Sequence, residues 1–243
     1  MNTIKLECTN KPLMVAHRGC SGLERENTAA SFIAAGNRSY WGIESDVHKT
    51  VDGKYVIIHD DTTGRVAIDD MVVENSTYDT LRRLTLLNKY SKVKDRADLC
   101  IPSLHEYIEI CKYYEKEAVL ELKNTFEEQD IYEICDIIGE LGYLEHTTFI
   151  SFDYNNLVYL RRKLPTQSAQ FLLGGKELPE NWLEMLKKEN LDLDVYRKLV
   201  TKEVVDTCHA NGITVNCWTV DTLEDANALI AMGVDQITSN ILE

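Results

Sequence analysis

The sequence predicts an α/β protein of the (β/α)8 TIM-barrel class, and three observations carry that expectation. Eight short apolar runs alternate with amphipathic segments along the whole chain. The length, 243 residues, is what eight strand–helix units occupy. No G-x-G-x-x-G turn is present, which weighs against a doubly wound open sheet with its nucleotide-binding loop.

The elements follow in order. Leu13–Ala16 reads as the first strand, and Thr28–Ala35 as a helix that stops at Gly36. Gly42–Val47 is the second strand. Asp52-Gly53 then separates it from the apolar run Tyr55–His59, which is a hairpin signal and not a strand–helix–strand unit. From Asp60 to Cys100 no strong period appears, so residues of about 60–100 are expected to form an insertion or lid on one barrel domain spanning 1–243. Its cationic residues, Arg82, Arg83, Lys89, Lys92, Lys94 and Arg96, read as a solvated face. Ser103 with Glu106 three residues on opens a helix over Ser103–Glu115. After it, strands at Ala118–Leu122, Thr148–Ile150, Ala169–Leu173, Leu191–Val195, Thr214–Trp218 and Asp235–Thr238 alternate with helices. Those helices are Gln129–Leu141, Tyr154–Arg162, Pro179–Lys188, Thr201–Ala210 and Thr222–Met232, with Gly142, Gly212 and Gly233 as stops.

Composition narrows the function. Hydrophobic residues at 44% and a chain of this length suffice for a large core without disulfide or metal staples. The 7 cysteines are odd in number and include no C-x-x-C pair, so they read as small core residues. No run of 18 apolar residues exists and Met1–Asn10 carries no secretory pattern, so no membrane span and a cytoplasmic location are expected. The net charge of −14 makes nucleic acid a poor partner. A phosphate compound would need a local inversion of charge, which is feasible because exposed fields fade over about 8 Å at physiological salt.

Strand alternation locates that inversion. In Gly42–Val47, Ile43, Ser45 and Val47 share the outer face, so Glu44 and Asp46 point into the barrel. In Val119–Lys123 the leucines point outward, and Glu121 and Lys123 inward. Asn216 and Trp218 share the inner face of their strand, and His17-Arg18 ends the first one. Unpaired charges inside a barrel are costly, and a divalent cation would compensate Glu44, Asp46 and Glu121. An all-carboxylate set without thiols suits Mg²⁺ or Ca²⁺ better than zinc. Arg18 and Lys123 beside such an ion would attract an oxyanion, while His17 and His59 could supply acid and base. The remaining histidines, His48, His105, His146 and His209, read as structural or exposed.

At these positions the chain resembles the glycerophosphodiester phosphodiesterase family. Ala16-His17-Arg18-Gly19, Glu26-Asn27-Thr28, Ile43-Glu44-Ser45-Asp46-Val47, Thr50-Val51-Asp52-Gly53 and Ile58-His59-Asp60 match its opening signature in order. Leu120-Glu121-Leu122-Lys123, Trp218-Thr219-Val220 and Gly233-Val234-Asp235 continue it, so the resemblance runs from about Leu13 to Ile241. It implies metal-dependent hydrolysis of a small phosphodiester to glycerol 3-phosphate and an alcohol. His17 and His59 would be acid and base, and Glu44, Asp46 and Glu121 would hold Mg²⁺ or Ca²⁺. Arg18 and Lys123 would bind phosphate, and Trp218 would wall the glycerol. Asn27 and Thr28 read first as the start of the first helix. Arg25 stands where the family has proline, and Ser45 where it has a bulky residue. A lysophospholipase D-like enzyme and a non-catalytic phosphate-binding barrel are the alternatives, and the alcohol, the choice of metal and the oligomeric state stay open.

Overall fold

The computed structural model describes residues 2–243, so Met1 of the expected 1–243 domain lies outside it. Eight parallel strands close into a barrel: β1 (Leu13–Ala16), β2 (Gly42–Lys49), β4 (Glu117–Leu122), β5 (Thr147–Ser151), β6 (Ala169–Leu173), β7 (Asp192–Tyr196), β8 (Val215–Trp218) and β9 (Gln236–Ser239). The ring shuts where β1 pairs with both β2 and β9. The short β3 (Tyr55–Ile57) runs antiparallel to β2 as the hairpin's return. Each sequence-expected barrel strand is present, with ends displaced by no more than two residues.

Alternation divides the barrel residues into two sets. Ile43, Val47, Leu120, Leu122, Phe149, Leu193, Val195 and Ile237 belong to the large apolar layer between strands and helices. Val15, Val119, Ile150 and Leu172 form a separate apolar cluster that Trp41 and Trp218 pack against. Among the inward polar groups, Gln170 Nε2 donates to Gln236 Oε1 at 2.9 Å and Asn216 Nδ2 donates to Gln170 Oε1 at 3.2 Å. Thr238 Oγ1 completes this layer by donating to Asn216 Oδ1. A polar layer in a barrel interior is tolerable because its members satisfy one another.

The helices are α1 (Ala29–Gly36), α2 (Tyr78–Arg82), α3 (Leu104–Tyr113), α4 (Glu128–Glu140), α5 (Tyr154–Lys163), α6 (Trp182–Glu189), α7 (Lys202–Ala210) and α8 (Leu223–Met232). Thr28, Ser103, Thr201 and Thr222 cap α1, α3, α7 and α8 with their side-chain oxygens. Gly142, Gly212 and Gly233 have φ of +65°, +71° and +92°, the left-handed stop that glycine allows. Gly36 differs from the expectation: it is the last residue of α1, and Asn37 is the C-cap. Its reason is packing, because a Cβ there would lie 2.4 Å from Tyr114 Cγ. Gly36→Ala is therefore expected to cost about 1–3 kcal/mol, read as a lower urea midpoint at unchanged slope.

Residues 60–100 hold more order than their weak periodicity suggested. They include α2 and contribute Val66, Ala67, Val73, Leu81, Leu86 and Leu99 to a small apolar cluster with Val56, Ile58 and Ile101. The cationic residues of this stretch are only in part a solvated face. Arg82 donates to Glu106 and to the Ile101 carbonyl, Lys89 to the Ser21 carbonyl, and Arg96 to Glu24 and Asp98. Each half-buried cation has found an acceptor, as desolvation requires. Lys89 and Arg96 bind the insertion to the loop between β1 and α1, and Arg82 binds it to the start of α3.

Candidate active site

Parallel register places Asp46 of β2 opposite Glu121 of β4, and Glu44 lies two residues earlier on the same inward face. One oxygen from each of the three carboxylates lies within 4.8 Å of the others, and all three residues are buried. Glu44 accepts the Arg18 backbone N–H at 2.7 Å, and Asp46 accepts Asn27 Nδ2 at 2.7 Å. Asn27 therefore does more than begin a helix: it orients a carboxylate. Asp46 Oδ1 makes no hydrogen bond among the described residues.

The titration of the three acids reflects this crowding. Burial, then the charges of its neighbours, raises the Glu44 and Glu121 carboxyls above the usual carboxylate range. Asp46 is held below that range: burial opposes ionisation, but Arg18, His59 and Lys123 outweigh it. The arrangement can hold a hard divalent cation. It presents oxygen donors only, one of them buried without a hydrogen bond, and its two raised carboxyls mark a site short of positive charge.

The cations sit where backbone geometry sends them. Arg18 has φ +53° and Gly19 +74°; at Gly19 a Cβ would lie 2.4 Å from Ser31 Oγ. This tight turn directs the Arg18 N–H at Glu44 while its side chain reaches Glu26 Oε1 at 2.8 Å and Asp46 at 3.7 Å. Arg18 Nε is buried and makes no hydrogen bond among the described residues. Lys123, just past β4, reaches Glu121 at 2.9 Å and Asp46 at 3.7 Å.

Both histidines are fixed through Nδ1. Asn240 Nδ2 donates to Asp221, and its Oδ1 accepts Ser21 Oγ, so His17 Nδ1 must be the donor to Asn240 Oδ1 at 2.8 Å. His17 Nε2 then lies 4.0 Å from Glu44. His59 Nδ1 donates to Asp60 at 2.6 Å, a carboxylate that Arg65 and His59 hold down to about 2 although burial opposes it. Burial, then the Arg18 charge, lowers His17 to about 4; burial also lowers His59. His48 is buried, with Nε2 3.3 Å from the His59 carbonyl and Nδ1 3.1 Å from Glu74.

Apolar and aromatic side chains enclose the rest. A cavity of about 60 Å³ is lined by His17, His59, Glu44 and Glu121 together with Ile150, Phe152, Leu172 and Trp218. Trp218 packs edge-on against Phe152 at 5.6 Å. Asp194, also in the lining, is buried, and burial with the nearby Glu121 charge raises its carboxyl well above the usual range. A larger cleft of about 820 Å³ adjoins, lined by Ser21, Glu26, Arg65, Lys89 and Asn240 among others.

The structure thus brings His17, His59, Arg18, Lys123, Trp218, Glu44, Asp46 and Glu121 to one mouth. Sequence reasoning passed over Asn240, Asp60, Glu26, Arg65 and Asp194. Asp60 had a signal, since it directly follows His59. Asn240 had none, because it meets His17 across 223 residues.

Glu26 gives a prediction that does not depend on activity. Burial opposes its ionisation, but hydrogen bonds from Arg65 and the charge of Arg18 hold it down to about 2, against 4.5 ordinarily. A folded value below the unfolded one contributes stability that is present above pH 4.5 and lost as pH falls towards 2. Glu26→Gln should flatten that part of the stability curve by roughly 1–3 kcal/mol, measured as the urea midpoint against pH.

Comparisons with known proteins agree with one another. A sequence model of the glycerophosphoryl diester phosphodiesterase family matches residues 17–242. The chain is 31% identical over 236 residues to a glycerophosphodiester phosphodiesterase of Caldanaerobacter subterraneus, covering 95% of this chain and 94% of that one. It is 26% identical over 226 residues to a protein of the same name from Bacillus altitudinis, with 91% of each covered. Among solved structures, an Oleispira antarctica phosphodiesterase in complex with the product sn-glycerol-3-phosphate superposes with a TM-score of 0.84 at 27% identity. That match covers 95% of this chain and 93% of the other.

Proposed function

The chain belongs to the glycerophosphoryl diester phosphodiesterase family and is a glycerophosphodiester phosphodiesterase, and from that premise we propose that it works by a carboxylate-held divalent cation and a pair of histidines. Glu44, Asp46 and Glu121 hold Mg²⁺ or Ca²⁺. When bound there, the ion would supply positive charge that lowers the pKa of the glycerol hydroxyl and offsets the negative charge of the phosphate. Arg18 and Lys123 take the phosphate oxygens, and the buried Arg18 Nε, which makes no hydrogen bond among the described residues, is a donor ready for one of them.

One imidazole accepts the hydroxyl proton at Nε2 as that oxygen attacks phosphorus. The other, protonated at Nε2, gives its proton to the departing alcohol oxygen. Water then opens the cyclic glycerophosphate with the two roles exchanged, so protons balance over the cycle. Asn240 and Asp60 keep both Nε2 atoms turned to the reacting groups by occupying Nδ1. Trp218 and Phe152 wall the glycerol, and the leaving alcohol has the adjoining cleft. In this reading the whole chain acts as one phosphodiesterase domain, with residues of about 60–100 as the wall beside the mouth.

The observation that carries the proposal is the meeting of the three buried carboxylates with two Nδ1-anchored histidines in one cavity. Its test is a panel of glycerophosphodiesters assayed with each metal, with a long-chain lysophospholipid as comparator. Glycerophosphocholine should be hydrolysed at least about 10²-fold better than the lysolipid. A preference for the lysolipid would instead support the lysophospholipase D reading.

A further inference from the structure

Asp194 is a buried acid that takes no part in the polar layer of the barrel. It lies on β7 in register with Leu172 of β6 and Asn216 of β8. The polar layer of Gln170, Asn216, Gln236 and Thr238 is satisfied internally, and none of its bonds involves Asp194. Its residue exposure is 2%, and Oδ1 makes no hydrogen bond among the described residues. It nevertheless lines the same cavity of about 60 Å³ as His17, Glu44 and Glu121, among the apolar side chains of Ile150, Leu172 and Trp218. A leucine there would pack against Leu172 and remove an unsatisfied group, so the fold alone gives no reason for a carboxyl.

We propose that Asp194 is a specificity-determining residue that receives the terminal hydroxyl of the substrate's glycerol and thereby selects diesters whose glycerol is not acylated. The inference rests on the phosphodiesterase reading above. When the hydroxyl next to the phosphoester carbon attacks phosphorus at the acidic triad, the hydroxyl on the third carbon points away from phosphorus. The cavity lining also holds Thr238, whose hydroxyl already donates to Asn216, and the donor-only Trp218 Nε1; Asp194 is its one carboxyl outside the triad. A carboxyl oxygen accepts a hydrogen bond from a hydroxyl whether or not the carboxyl is ionised. An acylated glycerol has an ester oxygen at that place, with no proton to offer and a chain that this small cavity does not accommodate.

The test compares kcat/KM for glycerophosphocholine with that for the analogue built on 1,2-propanediol, which keeps the attacking hydroxyl and lacks the terminal one. The full-length enzyme with Mg²⁺ should prefer the glycerol substrate by about 10²-fold or more. Asp194→Asn, which still offers a carbonyl oxygen, should keep most of that preference. Asp194→Leu and Asp194→Ala should bring the ratio to within about threefold, and Asp194→Leu should melt at a higher temperature. An unaltered enzyme that takes both substrates equally, or a leucine or alanine variant with the preference intact, overturns the proposal and leaves the phosphodiesterase reading standing. Failure of the unaltered enzyme to hydrolyse either substrate would overturn that reading, and this inference with it.

Discussion

His17→Ala and His59→Ala should each lower kcat for glycerophosphodiester hydrolysis by about 10²–10⁴-fold, the contribution of a positioned proton donor or acceptor. The expectation comes from how the rings are held. Each spends Nδ1 on a fixed acceptor, Asn240 or Asp60, and keeps Nε2 for the cavity. A water entering the space left by the ring would lack both the anchor and the right proton affinity. Because the two imidazoles act on successive protons of one displacement, the double variant should lose much less than the product of the two single losses. The measurement is kcat at saturating glycerophosphocholine, with the melting temperature as a check on folding. Near-full activity in either variant would remove that residue from the mechanism.

Chelation with EDTA should reduce turnover by at least about 10³-fold, with recovery on adding Mg²⁺ or Ca²⁺. Three buried carboxylates within 4.8 Å of one another cannot all ionise without compensation, and Arg18 and Lys123 supply only two positive charges. The cation should therefore also stabilise the fold, by about 2.7 kcal/mol at a hundredfold excess over its Kd. Asp46→Asn keeps the side chain's size and removes its charge. It should abolish the metal-dependent rise in melting temperature as well as the activity, which separates loss of binding from loss of chemistry. An EDTA-treated enzyme that keeps its full rate would defeat the proposal.

Local patterns were legible in the sequence wherever one rule decided them. A charge in a strand flanked by apolar neighbours must face inward or be buried against helices, and that placed Glu44, Asp46, Glu121 and Lys123. The same alternation in Leu191-Asp192-Leu193-Asp194-Val195 turns Asp194 inward as well. Capping residues were readable because the Ser103–Glu106 pair is a short-range contact. The order inside the insertion was not, because α2 is five residues long and cannot display a helical period. The partners of Arg18 and His17 were only half visible. Glu26 lies eight positions from Arg18 in a recognisable motif, whereas Asn240 joins His17 only when the ring is complete.

That last bond bears on how the enzyme is made. During translation His17 leaves the ribosome early, yet the amide that fixes its tautomer lies 223 residues later. A nascent chain lacking β9 has neither the strand that closes β1 nor the anchor for that imidazole. Such a fragment already carries β2 and β4, with Glu44, Asp46 and Glu121, but not the amide that fixes His17. Competence for catalysis thus waits for β9 and Asn240, as a property of the finished ring.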